Sequence, residues 1–125
     1  MGLLHVFNVA RAAFHESAKA LTRSPAWRSV ERSFLETHPQ CAACDGKTRL
    51  QVHHKKPYAL FPELELELSN LVTLCMGELE CHLRIGHGGS FRFYNPHIEQ
   101  DLRVLFMGLR RDVVELGARR DRLPL

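Results

Sequence analysis

At 125 residues, with 45% hydrophobic and 25% charged residues, the chain has the size and composition of a single globular domain. Its formal net charge of +3 excludes a strongly basic coat for nucleic acid, so any DNA contact is expected to be local. No apolar run reaches the about 20 residues that a membrane span requires, and residues 2–10 lack the basic start of a secretion signal. We therefore expect no membrane partner and, by default, a cytoplasmic location.

The N-terminal part of the chain predicts two helices. Residues 3–21 place apolar side chains along one side of a helix. Ser24 and Pro25 are a typical helix start, with serine as the N-cap and proline in the first turn. The second helix is predicted over residues 26–37, with Trp27 as an anchor in the core.

The middle of the chain predicts short elements: a tight turn at residues 41–46, strands at 48–54 and 70–75, and a helix at 80–85. Residues 63–68 alternate glutamate and leucine, which predicts a half-buried turn or edge segment with solvated acids and no chemistry. The short helix carries His82, and the glycines within residues 86–89 end it.

A final long helix is predicted after Asn95, which acts as its cap, with Pro96 in the first turn. Its apolar face predicts packing on the N-terminal helices, and a helical dimer seam is the alternative. The expected organisation is one domain, residues 1–125, with a helical extension at 1–24, a core at 25–95 and a C-terminal helix at 96–125.

All four cysteines lie in the predicted core, in two pairs: Cys41, Cys44, Cys75 and Cys81. Disulfides would require secretion, whereas paired cysteines with histidines nearby favour a zinc ion in a reducing compartment. Four thiolates saturate tetrahedral zinc, so we expect a closed, structural site. The five residues between the last two cysteines exceed the usual spacing, and residues 76–80 are therefore expected to bulge out.

The histidines predict a second metal site. His53 and His54 are adjacent on a strand and point to opposite faces, so one can bind an ion while the other approaches a different group. His82 could complete the ion site, with His87 nearby. Neutral imidazoles suit Zn²⁺, Mn²⁺, Ni²⁺ or Co²⁺ better than Mg²⁺. The remaining histidines are interpreted as structural or surface residues: His5, His15, His38 and His97.

Three segments resemble the three parts of the HNH endonuclease motif: residues 50–57 with the paired histidines, 69–75 with Asn70, and Cys81 with His82. The resemblance covers about residues 25–95, and residues 86–96 look like the tail of a branch associated with phages and bacteria. It implies an α+β fold, a small ββα-metal core with a structural zinc knuckle, flanked by N-terminal and C-terminal helices.

The resemblance also implies roles for single residues in metal-dependent hydrolysis of DNA phosphodiester bonds. His54 would be the general base and His53 a ligand of the catalytic ion, which could be Mg²⁺, Mn²⁺, Ni²⁺, Co²⁺ or Zn²⁺. Asn70 would brace the loop between the strands and so orient His54. His82 would be the second ligand, and His87 a third ligand or a phosphate contact, although its spacing of five residues from His82 does not fit an α-helix.

Contacts to DNA are expected from cations close in sequence to the ion ligands: Lys55, Lys56, Arg84 and Arg92. The alternative for each is a solvated surface charge. Two other hypotheses for the function of the whole chain stay open. One is a noncatalytic zinc module that binds DNA or protein, and the other is a domain whose histidines hold a second structural zinc. A homodimer or a larger nuclease assembly through the terminal helices also stays open.

Overall fold

The computed structural model describes residues 23–106 and 121–125. Its helices and strands are α1 (Trp27–Thr37), β1 (Leu50–His54), β2 (Leu71–Cys75), β3 (Phe93–Tyr94), α2 (Ile98–Phe106) and β4 (Leu123–Pro124). A short π-helical turn, His82–Gly86, follows β2. We call it the π turn. Within these residues, no helix is long and apolar enough to cross a membrane.

The central element is an antiparallel hairpin of β1 and β2, in register from Leu50 opposite Cys75 to His54 opposite Leu71. All five residues of β2 are buried. The hairpin separates two apolar clusters because successive strand residues point to opposite faces. Val72 and Leu74 pack towards the cysteines, the π turn and α2, whereas Leu71 packs towards α1.

The turn before β1, residues 41–46, is held by backbone hydrogen bonds, and we call it the knuckle. The amide of Cys41 donates to the carbonyl of Gly46 at 2.8 Å, and the amide of Asp45 donates to the carbonyl of Cys41 at 2.9 Å. Asp45 adopts a positive φ of 63°, a conformation that aspartate tolerates better than most residues. The amide of Ala42 donates to the carbonyl of Thr73, which fastens the knuckle to β2.

The connection between the two strands contains two single turns of 3₁₀ helix, Pro62–Leu64 and Leu68–Asn70. Asn70 closes this loop, since its side-chain oxygen accepts the amide of Lys56 at 2.9 Å and its nitrogen donates to the carbonyls of Lys56 and Leu64. The expectation of solvated acids in residues 63–68 is wrong at Glu65, which is only 2% exposed.

The α+β fold is confirmed, and α1 begins one residue later than predicted. α2 begins at Ile98 rather than at Pro96. Asn95 makes the bond expected of a cap, because its Oδ1 accepts the amide of His97 at 2.9 Å, and its side-chain nitrogen also donates to the carbonyl of Ile85 and to the carboxylate of Asp101. The predicted N-terminal helix and the last part of the C-terminal helix, with its dimer seam, fall in residues 1–22 and 107–120, outside the described residues.

Candidate metal centre and active site

The four cysteines converge between the knuckle, the end of β2 and the start of the π turn. Their sulfur atoms all lie within 4.8 Å of one another, and the Sγ atoms of Cys44 and Cys75 are 3.6 Å apart. Tetrahedral zinc with Zn–S bonds of about 2.3 Å separates its sulfur ligands by about 3.8 Å. All four thiols are free of disulfides, so the cluster fits a four-thiolate ion in both composition and size.

The long spacing of the second pair is accommodated by a turn that projects from the hairpin. The amide of Met76 donates to the carbonyl of Arg49, and the amide of Glu80 donates to the carbonyl of Gly77. Glu80 has a φ of 48°, which reverses the chain and returns Cys81 to the cluster. The bulge predicted for residues 76–80 is thus present.

The thiols interact strongly with one another. A hydrogen bond with Cys81 lowers the pKa of the Cys41 thiol to about 5, and the same contact together with burial raises the pKa of Cys81. Burial raises the pKa of Cys44 to about 11. The site therefore readily holds one thiolate, and a bound cation would favour the remaining three.

A second cluster consists of three histidines on the other side of the π turn. The rings of His53 and His82 have centroids 5.0 Å apart, and those of His53 and His87 are 4.9 Å apart. One ligand nitrogen from each ring lies within 4.8 Å of the others. His53 is 3% exposed, and its Nε2 has no hydrogen-bond partner among the described residues. A buried nitrogen without a partner is costly unless an ion completes it.

The π turn explains how His87 joins this cluster. An α-helix brings residues three or four apart to one face, whereas a π-helical turn pairs residues five apart. His82 opens the turn and His87 directly follows it, so the five-residue spacing suits this conformation. The structure therefore brings together all three histidines that the sequence associates with the catalytic ion.

Two acceptors outside the cluster fix the orientation of its rings. His82 donates from Nδ1 to the side-chain oxygen of Gln51 at 2.7 Å, and His87 donates from Nδ1 to the carbonyl of Phe93 at 2.6 Å. Both rings therefore keep Nε2 unprotonated and available as a ligand. The sequence predicted no role for Gln51, although strand alternation places its side chain on the same face as that of His53.

Protonation of these rings is disfavoured. Burial, with the nearby His87, lowers the pKa of His82 to about 4. Burial and the neighbouring histidines also place the pKa of His53 well below its ordinary value, and burial lowers that of His87. Neutral imidazole is the form that binds a metal ion, so the electrostatics of the cluster suit that chemistry.

His54 points to the opposite face of β1, towards α1. Its ring lies 4.5 Å from the ring of Trp27 and 6.2 Å from that of Tyr58. Nε2 donates to the carbonyl oxygen of Glu65 at 2.9 Å. This bond places the ring proton on Nε2 and leaves Nδ1 as an acceptor. Burial lowers the pKa of His54 despite that hydrogen bond, which keeps the ring neutral.

Glu65 also anchors the start of α1. Its Oε1 accepts from Arg23 Nε at 3.1 Å and from the amide of Ser24 at 3.3 Å. The guanidinium carbon of Arg23 lies 4.6 Å from the ring centre of Trp27 and 4.3 Å from that of Tyr58. One buried residue thus connects the acceptor of His54 to the chain before α1. The alternating glutamates gave no sequence signal for this role.

Asn70 braces the loop between the strands, and its side-chain hydrogen bonds go to Lys56 and Leu64 rather than to His54. Its contact with His54 is indirect. The side chain of Asn70 donates to the carbonyl of Leu64, and the next residue, Glu65, accepts the hydrogen bond of His54 through its own carbonyl. The contacts of Asn70 therefore reach His54 only through the loop.

The four cations predicted to contact DNA differ in their surroundings. Lys55 Nζ donates to the carbonyl of Ser69 at 3.0 Å and to the carboxylate of Glu99 at 3.2 Å. Lys56 Nζ lies 5.6 Å from the ring centre of Phe61. Arg84 is half-buried, and its Nε has no partner among the described residues. Arg92 is exposed. Lys55 and Lys56 line the same groove, and the lining of that groove does not include Arg84 or Arg92.

The hairpin, the following turn and the two ligand clusters define an α+β domain of the ββα-metal class. Residues 41–88, which contain every predicted metal ligand, match the model of the family described as HNH endonuclease. This part of the chain is therefore similar to the HNH domain, and its cysteine cluster is consistent with the zinc-binding type. No significant match to a curated protein or to a solved structure is found. The family supports a nuclease role and a nucleic-acid partner in general terms.

Proposed function

We propose that the chain is a metal-dependent endonuclease that hydrolyses DNA phosphodiester bonds, with His54 as its general base. The observation that carries this proposal is the hydrogen bond from His54 Nε2 to the carbonyl of Glu65, 2.9 Å long. It leaves Nδ1 with a lone pair, in a ring that burial keeps neutral. Nδ1 then accepts a proton from a water molecule whose oxygen attacks the phosphorus.

The catalytic ion is proposed to bind His53, His82 and His87. The buried, unpartnered Nε2 of His53 and the fixed tautomers of the other two rings support this ligand set. When bound, a divalent ion stabilises the negative charge that develops on the phosphate and the leaving oxygen. Three imidazoles leave open positions for phosphate oxygens, and Mg²⁺, Mn²⁺, Ni²⁺, Co²⁺ and Zn²⁺ are the ions to compare.

The cysteine cluster is proposed to hold a structural zinc. Four thiolates leave no position for a substrate, so this ion takes no part in the reaction. Its role is to hold the knuckle and Cys81 against the end of β2. The catalytic residues on the hairpin and the π turn then keep their relative positions.

Glu65 and Asn70 are proposed to position His54. A general base works only when its nitrogen lies within hydrogen-bond reach of the attacking water, so the direction of the ring matters. The carbonyl of Glu65 sets that direction, and the contacts of its carboxylate with Arg23 and Ser24 hold the carbonyl in place. Asn70 fixes the same loop from the other side.

Contacts to DNA phosphates are proposed for Lys55, Lys56, Arg84 and Arg92. Arg92 is exposed, whereas Lys55 would have to exchange Glu99 for a phosphate oxygen. That exchange is feasible because Glu99 is largely exposed and a surface ion pair contributes little stability.

The test is a plasmid-cleavage assay on wild type and on His54→Ala, with each of the five ions. Wild type should cleave in at least one ion, and loss of the base should lower the rate by roughly 10²- to 10⁴-fold. His54→Gln is a second variant, because it better fills the space beside Trp27. Circular dichroism and zinc content verify that both variants fold.

The matched control is His38→Ala, which removes an exposed histidine that stacks on Phe34 and belongs to neither ligand cluster. It should cleave at the wild-type rate. Near-normal cleavage by a folded His54→Ala variant would contradict the assignment of the base. A wild-type protein that binds DNA without cleaving it in any ion would indicate a noncatalytic zinc module instead.

A further inference from the structure

One side of α1, with the residues just before the helix, lines an open groove. The groove has a volume of about 760 Å³, and its lining includes Arg23, Trp27, Arg28, Glu31, Arg32 and Leu35. The lining contains three guanidinium groups and one carboxylate, that of Glu31. Arg23 is paired with Glu65, and the other two guanidinium groups still leave a positive excess.

Two of these arginines are available for a partner. Arg28 and Arg32 are exposed, and neither forms a salt bridge with another described residue. They lie four residues apart on α1, on the same face and separated by about 6 Å along the helix axis. Arginine presents a planar fork of donors that matches the oxygens of a phosphate.

The groove continues to the proposed general base. Trp27 lines the groove and also lies 4.5 Å from the ring of His54. Arg23 lines it too, and its guanidinium is held by Glu65, whose carbonyl accepts from His54. A strand that places a phosphate beside His54 therefore has α1 directly next to it.

A second groove is lined by residues of the loop between β1 and β2 and of the start of α2, and it is less suited to binding a polyanion such as DNA. Its lining contains Lys55 and Lys56 together with Glu67 and Glu99, so the formal charges of these lysines and glutamates balance. Lys55 is also paired with Glu99 at 3.2 Å. Of the two grooves, the one on α1 carries the positive excess.

We infer that the α1 groove binds the sugar–phosphate backbone of the substrate DNA next to the cleaved bond, with Arg28 and Arg32 as the phosphate contacts. This inference rests on the proposed endonuclease function, for which it names the substrate-binding surface. Phosphate contacts position a strand but do not read bases, so binding through the groove is independent of sequence.

The test is DNA binding by the full-length protein carrying Arg28→Ala and Arg32→Ala, measured by fluorescence anisotropy on two duplexes of unrelated sequence without added divalent ion. Removal of two phosphate contacts should reduce the slope of log affinity against log salt by about 1.8. The ratio of wild-type to variant affinity should then fall roughly tenfold between 50 and 200 mM salt, equally for both duplexes.

The matched control carries Lys47→Ala and Arg103→Ala, which remove the same charge from exposed positions outside the groove. It should bind with the wild-type slope. A second variant, Arg28→Glu with Arg32→Glu, should bind more weakly than the alanine variant, and circular dichroism verifies its fold. If the alanine variant binds like the control, the inference is wrong, and an acidic peptide becomes the better occupant.

Cleavage by wild type separates this inference from the proposed function. If wild type cleaves plasmid DNA and the arginine variants bind like the control, only the inference fails. If wild type cleaves nothing but the arginine variants lose binding with the expected slope, the groove is supported while the catalytic proposal fails.

Discussion

Glu65 contacts His54 through its backbone carbonyl and the chain before α1 through its carboxylate. A substitution of the side chain can therefore remove the second contact and leave the first. Its carbonyl accepts from His54, and its buried carboxylate accepts from Arg23 and Ser24. A substitution of the side chain leaves the carbonyl in the chain but removes the contacts that hold it in place. The effect on catalysis therefore measures how much the direction of the His54 ring depends on this anchor.

We predict that Glu65→Ala lowers kcat by roughly tenfold while KM for DNA changes little, because the residue orients the base and does not touch substrate. Loss of a hydrogen-bonded charged partner should also lower stability by about 1–3 kcal/mol. Steady-state kinetics well below the melting temperature separate the two effects. Glu63→Gln is the control, because Glu63 is exposed in the same segment. Equal kcat for the two variants would contradict the positioning role.

At the scale of elements, the π turn determines whether three histidines can share one ion. Gly86 lies inside this turn, and an added Cβ would lie 3.0 Å from two ring atoms of His53 and 3.2 Å from Cδ2 of His82. Those distances are shorter than ordinary van der Waals contact, so a side chain at this position must displace at least one of the two rings. The close approach of the rings therefore favours glycine at this position.

We predict that Gly86→Ala weakens binding of the exchangeable ion by roughly 10- to 100-fold, as for other substitutions that disturb the orientation of metal ligands. The zinc at the cysteines should be retained. Calorimetric titration with Ni²⁺ gives the affinity, and elemental analysis gives the zinc content. Gly77→Ala is the matched control, because its Cβ would meet Thr48 at an ordinary 3.7 Å. Equal Ni²⁺ affinities of the two variants would argue against a site built on these rings.

The local elements of the core could be predicted because their signals are local. Strand alternation and the turn residues around the knuckle depend only on neighbours in sequence. The family resemblance then associated His53, His82 and His87 with one ion. The structure brings the three rings together, and the π turn explains how His87 joins His82 at a spacing of five residues. The sequence predicted an α-helix at that point, and local patterns do not distinguish one π turn from it.

The contacts that could not be predicted are those between residues distant in the chain. Glu65 looked like a solvated acid, and its burial depends on Arg23, 42 residues earlier. Sequence alternation places a side chain on a face but does not say which partner covers that face. The same limit applies to the groove on α1, because the proximity of Trp27 to His54 exists only after the helix packs on the hairpin.

At the scale of the whole molecule, the hairpin is too small to be stable alone and depends on what covers it. Two strands of five residues are marginal in water without further packing. One face packs on α1 through Trp27 and Phe34, whereas the other contains all four cysteines among apolar residues such as Leu74 and Ile85. A zinc ion would therefore lie inside an apolar cluster, and its loss should weaken packing on that entire side.

We predict that Cys44→Ser loses the tightly held zinc and lowers the melting temperature by at least about 10 °C, since a structural zinc contributes several kcal/mol and each kcal/mol shifts a small domain by several degrees. A chelator should have the same effect on wild type, reversed by added zinc. His82→Ala is the matched comparison, because it should lose the exchangeable ion and keep both the zinc and most of the stability. Elemental analysis with thermal unfolding tests both variants. Tight zinc lost from both variants alike would favour a second structural zinc at the histidines over a catalytic ion there.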